Sequence, residues 1–153
     1  MGFYIDERLY QKVHELMPIF CVDVILKIEN KFLMFKRTQN PAKGQWWFPG
    51  GRVYKNERLL TAAKRKVIEE TGLKIKHLEK IVDTYELFFE EDPFNHNNGT
   101  HTLSNCYLGE IRDYDQIRLN KYHSKYKVFS NYAQTWHPYL KHCLKKAGFN
   151  SDG

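Results

Sequence analysis

Two adjacent carboxylates, Glu69 and Glu70, lie near the end of a segment free of glycine and proline that runs from Glu57 to Thr71, shortly after the pair Gly50-Gly51. With Leu59 placed at zero and about 100° per helical residue, Leu60, Ala62, Ala63 and Val67 fall between about −60° and +100° and define an apolar face. Glu70 falls near +20° on the same wheel, inside that face. An ionised carboxylate aimed where apolar residues point needs a partner, either a cation from the protein or a metal. Lys66, one turn earlier, offers an ion pair, although lysine before glutamate is the less favourable order on a helix. Glu69 adds a second carboxylate at the edge of the face, and two carboxylates beside a Gly-Gly turn suit a hard divalent ion that also holds phosphate oxygens. Spacing alone leaves the ion pair and the metal site as equal alternatives.

The elements that must position these groups follow from periodicity and punctuation. The Glu57 to Thr71 helix stops at Gly72, a C-cap residue. Asp6 to Met17 carries Leu9, Val13 and Leu16 at helical spacing and ends before Pro18. Ile19 to Ile28 and Phe32 to Phe35 read as a hairpin turning at Glu29-Asn30-Lys31. A loop from Arg37 to Gln45 contains Asn40-Pro41 and Gly44, and the aromatic strand Trp46-Trp47-Phe48 is closed by Pro49-Gly50-Gly51. Strands are expected over Ile75 to Phe89, Leu103 to Ile111 and Tyr126 to Phe129, with a polar loop from Glu90 to Thr100. A closing helix is expected over Ser130 to Lys146, with Pro138 at a kink or in its first turn. Strands before, between and after the helices predict an α+β fold, a mixed sheet packed between helices, as one domain over residues 1–153.

Composition bounds the function. The 153 residues are 42% hydrophobic and 27% charged, which excludes wholesale disorder and fibrous repeats. The net charge of +6 favours anionic partners, yet the basic residues form no arginine-rich block, so nucleic-acid binding is not expected. Aromatic residues reach 15%, more than one small core holds, so some are expected at a pocket or interface. Cys21, Cys106 and Cys143 imply free thiols and no disulfide framework. The charged N-terminus and the lack of a long apolar run point to a cytoplasmic protein without a membrane span.

The residues from Gly51 onward resemble the Nudix box: Gly51, five residues, Glu57, seven residues, then Arg65-Lys66-Val67-Ile68-Glu69-Glu70-Thr71-Gly72-Leu73. Every fixed position matches except Lys66, where the box has glutamate. The resemblance implies the Nudix α/β/α sandwich and cleavage of a nucleoside diphosphate linked to another group. Within that family the chain looks most like the GDP-mannose mannosyl hydrolases. The similar segments are Lys36-Arg37-Thr38, Asn40-Pro41-Ala42, Gly44, Trp46, Phe48, Pro49-Gly50-Gly51-Arg52-Val53, Gly99-Thr100 and His123 to Tyr126.

The branch implies hydrolysis of GDP-mannose, and of GDP-glucose, by water attack at the anomeric carbon with inversion. His123 would be the general base; Arg37 and Arg52 would stabilise the departing diphosphate. Glu70 and the Gly50 carbonyl would hold Mg²⁺, or Mn²⁺, with Glu69 as a further ligand. Asp23 would recognise the sugar, Tyr126 would lie near the leaving phosphate, and Tyr10 would stack on guanine. A homodimer is implied, with N-terminal segments at its interface. Two substitutions depart from the branch: Leu87 stands where it can show histidine, and Tyr122 replaces an amide. Lys66 shifts the metal site by two charge units relative to glutamate, which favours one metal over several. An ordinary Nudix diphosphatase attacking phosphorus and a silent nucleotide-binding module are the alternatives.

Overall fold

The computed structural model describes residues 2–153. Ten elements follow in order: α1 (Glu7–Leu16), β1 (Ile19–Ile28), β2 (Lys31–Arg37), β3 (Trp46–Trp47), β4 (Gly50–Arg52), α2 (Leu59–Thr71), β5 (Glu79–Phe89), β6 (Thr100–Glu110), β7 (His123–Phe129) and α3 (Pro138–Lys146). The seven strands form one mixed sheet in the order β3-β2-β1-β6-β5, with β4 paired to β1 and β7 to β2. β1 and β6 run parallel; β1 with β2 and β4, and β5 with β6, run antiparallel. The expected α+β class and hairpin are therefore present.

Residues alternate faces along a strand, and β1 uses both. Val22, Val24 and Leu26 join Ala62, Ala63 and Val67 of α2 in one cluster. Ile25 joins Tyr139, Leu140, Cys143 and Leu144 of α3 in another. By the same alternation Asp23 shares the face of Ile25 and meets α3. A polar residue is thus carried into the interior by the strand that supplies the core.

Each helix has an identifiable start or stop. Asp6 caps α1 by accepting from the Leu9 N–H at 2.9 Å. Gly72 ends α2 at φ 77°, and its N–H donates to the Ile68 carbonyl. α2 begins at Leu59 rather than Glu57, because the Glu57 carboxylate accepts from the Tyr54 N–H at 3.0 Å and grips Arg65 instead. α3 begins at Pro138 with His137 Nδ1 accepting from the Tyr139 N–H at 3.0 Å. Pro138 is therefore a first-turn residue, and the expected helix over 130–137 is absent: proline has no N–H for a helix interior.

Other boundaries move as well. Gly50–Arg52, expected as a turn, pairs with Cys21–Asp23 as β4. β5 starts at Glu79, and β7 starts at His123. Two of the three residues in the expected apolar stripe of α1 face outward, Leu9 51% and Leu16 67% exposed, while Val13 is half-buried. α1 instead turns Tyr10 and His14 inward onto Phe94, with ring centroids 5.6 and 5.2 Å away. Leu60, at the edge of the expected α2 face, is exposed. All three cysteines are free. Among the described residues, no helix is long and apolar enough to cross a membrane.

Candidate active site

A cavity of about 730 Å³ opens between α1, the start of β1, β4, the C-terminal half of α2 and the loops around residues 39–42, 93–95 and 121–122. That volume suits a nucleotide-sized ligand. Its wall includes Tyr10, Asp23, Arg37, Gly50, Arg52, Glu69 and Glu70, so seven residues singled out in sequence converge on one space. The two segments that meet there are far apart in the chain; pairing of β4 with β1 sets Gly50 opposite Asp23.

Two arginines supply fixed positive charge. Arg37 ends β2, and its Nε donates to the Pro41 carbonyl at 2.7 Å, which anchors the guanidinium at the cavity wall. Burial weakens its proton affinity, but Glu70 and Asp23 nearby oppose that shift, and it stays a cation. The Arg52 guanidinium lies 3.6 Å from the Tyr10 ring centroid, with Tyr4 at 5.2 Å and Tyr54 at 5.4 Å. Three aromatic rings hold this cation in place. Arg52 thus covers one face of Tyr10, the ring expected to stack on guanine. Lys66 and Lys121 add two ammonium groups to the wall.

Two buried carboxylates oppose them. Asp23 is 7% exposed, and its Oδ2 accepts from the Tyr139 hydroxyl at 2.6 Å. Burial pushes its carboxyl up to about 7; the Tyr139 hydrogen bond and Arg37 pull the other way. Glu70 is 4% exposed, and its Oε1 accepts from the Gly50 N–H at 3.0 Å. Burial also raises its proton affinity, against Lys66, the Gly50 N–H and Arg37.

The residues expected to hold a divalent ion are committed elsewhere. Glu70 Oε2 lies 3.2 Å from Lys66 Nζ. The two Glu69 oxygens pair with Arg65 Nη1 and Lys66 Nζ, both at 3.1 Å. Gly50 reaches Glu70 through its N–H, whereas the resemblance assigns its carbonyl to the metal. Among the described residues, no three or more His, Cys, Asp or Glu side chains are grouped to hold a metal ion. A divalent cation needs several oxygen donors, and here an ammonium already sits against those of both glutamates. This donor set does not fit a resident divalent ion, and of the two alternatives left by spacing the ion pair is the one formed.

His123 and Tyr126 are not part of the cavity wall. The β2–β7 register sets His123 opposite Arg37 at a bulge. Its side chain is 1% exposed, and Nδ1 lies 3.7 Å from Glu70 Oε1 without a hydrogen-bond partner. Burial, then Arg37 and Lys66, lowers its pKa to about 4, so the imidazole is neutral near pH 7 and the contact with Glu70 is not an ion pair. Tyr126 lies on the α2 side of the sheet against Phe35 and Tyr114.

Sequence reasoning missed His14 of the cavity wall and several residues packed behind it. Tyr139 carries no signal beyond following Pro138, and its contact with Asp23 spans 116 positions. His14 Nδ1 and His96 Nε2 are 2.8 Å apart and tie α1 to the Glu90 to Thr100 loop. Asp92 shapes that loop by accepting from the N–H groups of Phe94, His96 and Asn97. His101, at the start of β6, stacks on Phe88 with ring centroids 4.3 Å apart. Leu87 and Tyr122 line the cavity at the two positions of departure.

The family model described as NUDIX domain matches residues 17–148. The low-salt glycan biosynthesis protein Agl8 of Haloferax volcanii is 31% identical over 128 residues, 84% of this chain and 81% of that protein. The ADP-ribose pyrophosphatase of Methanocaldococcus jannaschii is 45% identical over 111 residues, 72% of this chain and 62% of that protein. The crystal structure of a MutT NUDIX hydrolase from Burkholderia pseudomallei superposes with a TM-score of 0.67 at 20% identity, covering 85% of this chain and 98% of that one. This last likeness is one of fold.

Proposed function

This chain belongs to the Nudix family, and on that premise we propose that it hydrolyses a nucleoside diphosphate-linked sugar, GDP-mannose or GDP-glucose, to the nucleoside diphosphate and free sugar. Nudix hydrolases act on nucleotide derivatives and generally use divalent ions such as Mg²⁺. The observation that carries the reading is the pairing, on one cavity wall, of a buried carboxylate poised near neutrality, Asp23, with the anchored cation Arg37. Displacement at a sugar carbon needs a base for water and positive charge for the departing diphosphate. Loss of the box glutamate at Lys66 weakens the case for attack at phosphorus, which leans on several metal-bound oxygens. The relative named for glycan biosynthesis is in keeping with a sugar nucleotide.

In this reading Asp23 takes the proton from the attacking water. Tyr139 occupies Oδ2 and fixes the carboxylate's orientation, which leaves Oδ1 for that water. The base role thus moves from His123, whose imidazole is closed off beneath Glu70, to a group that faces the cavity. Arg37 and the caged Arg52 bind the diphosphate and stabilise charge that grows as the glycosidic bond breaks. Homodimerisation belongs to the same proposal, supported by exposed Phe3, Leu9, Leu16 and Met17 in the N-terminal segment.

Incubation with GDP-mannose and Mg²⁺ in ¹⁸O-enriched water tests the reading by mass spectrometry. GDP with labelled mannose is expected. GMP with mannose 1-phosphate, label on phosphate, would favour the diphosphatase reading, to which the ADP-ribose pyrophosphatase relative points.

A further inference from the structure

Lys66 is the residue for which the family pattern supplies no role, and its surroundings are specific. Its side chain is 12% exposed and runs across Gly51, where an added Cβ would stand 2.5 Å from Cε and 3.0 Å from Nζ. A side chain at position 51 would push the ammonium off that path. Nζ ends 3.1 Å from Glu69 and 3.2 Å from Glu70, with the Tyr122 ring centroid at 5.7 Å. Burial disfavours the charged form, but Glu70 and Glu69 outweigh it, and the ammonium is held above its ordinary range. Lys66 lines the same cavity as Arg37 and Arg52.

An ammonium carries three donors. Two suffice for the glutamates, which leaves one for a ligand in the cavity that Lys66 lines. Held by two carboxylates, the group is a positioned cation at the place where the box elsewhere gathers carboxylates for a metal.

We infer that Lys66 is a built-in counter-cation that binds the diphosphate of the nucleotide together with Arg37 and Arg52, so that nucleoside diphosphate binding to this chain requires no divalent ion. The inference rests on the nucleotide-sugar reading and deepens it. Glu69 and Glu70 act here as positioning residues for an ammonium.

Titration calorimetry with GDP and ADP as probes, in EDTA and in Mg²⁺, tests it on the intact chain. Wild type is expected to bind at least one probe in EDTA, with Mg²⁺ changing Kd by less than about threefold, and Lys66→Met to lose more than about tenfold in EDTA. Lys66→Glu is expected to bind nucleotide only with the metal, and to hold Mn²⁺ detectable by electron paramagnetic resonance without nucleotide. Lys66→Arg retains the charge and controls for folding. Should the substitutions unfold the chain, the wild-type comparison still decides. Binding that needs Mg²⁺ in wild type, binding by folded Lys66→Met equal to wild type, or no binding of either probe in both buffers overturns the inference. Metal-free binding without turnover of GDP-mannose would remove the hydrolase reading and leave this one standing. Turnover to GDP and mannose with Mg²⁺-dependent GDP binding would do the reverse.

Discussion

The Tyr139 hydroxyl donates to Asp23 Oδ2 at 2.6 Å, joining the first turn of α3 to the first strand of the sheet. Tyr139 is fully buried, so the hydrogen bond is its hydroxyl's tie to the site and the brake on Asp23's proton affinity. Removing that brake has a defined sign. Tyr139→Phe raises the Asp23 pKa, and the acid limb of kcat/KM moves upward from about 7. Asp23→Asn abolishes the limb and lowers kcat by about 10² or more. pH–rate profiles of the three proteins check both outcomes.

Asp23 also sets a stability trend. Its folded pKa of about 7 lies above the ordinary value of 3.8, so the folded state binds the proton more tightly and stability falls as pH rises through that window. The loss is on the order of 4 kcal/mol across the window. Urea unfolding between these pH values will show the decline in wild type and its absence in Asp23→Asn.

His123 gives the opposite expectation. An imidazole that is neutral near pH 7 and closed from the cavity contributes no titration to the rate near neutrality. His123→Gln leaves the acid limb in place and keeps kcat within about tenfold of wild type. Loss of the limb in that variant would return the base role to His123.

Arg65 is a stability residue. Its guanidinium bonds Glu57 at 2.7 and 2.9 Å, the Arg52 carbonyl at 3.0 Å and Glu69 at 3.1 Å, and lies 3.8 Å from the Tyr54 ring centroid. Arg65→Met leaves the Glu57 carboxylate, 5% exposed, without its cation. The cost is about 3 kcal/mol, read as a lower urea midpoint at unchanged m-value.

The His14–His96 contact at 2.8 Å requires at least one neutral ring. Burial, then His96, depresses the His14 pKa below 6.5, so the folded state resists protonation and this contribution to stability fades as pH falls below that value. Protection factors for amide exchange at Phe94, His96 and Asn97 will fall about tenfold on acidification through this range and lose that dependence in His96→Phe.

Local spacing made much of this protein legible. The Gly51, Glu57 and Arg65 to Gly72 pattern determined α2, its glycine stop and the inward aim of Glu70, because helical periodicity fixes side-chain direction from sequence alone. Alternation along β1 likewise aims Asp23 to one face of the sheet. What a direction meets is decided by packing across the chain. Tyr139 beneath Asp23, the three rings around Arg52 and the burial of His123 each join segments distant in sequence, and desolvation then sets their charges. Lys66 shows the division: its spacing offered Glu70 as a partner, but only the tertiary structure, by passing the side chain over the bare backbone of Gly51, brings its ammonium to the cavity wall.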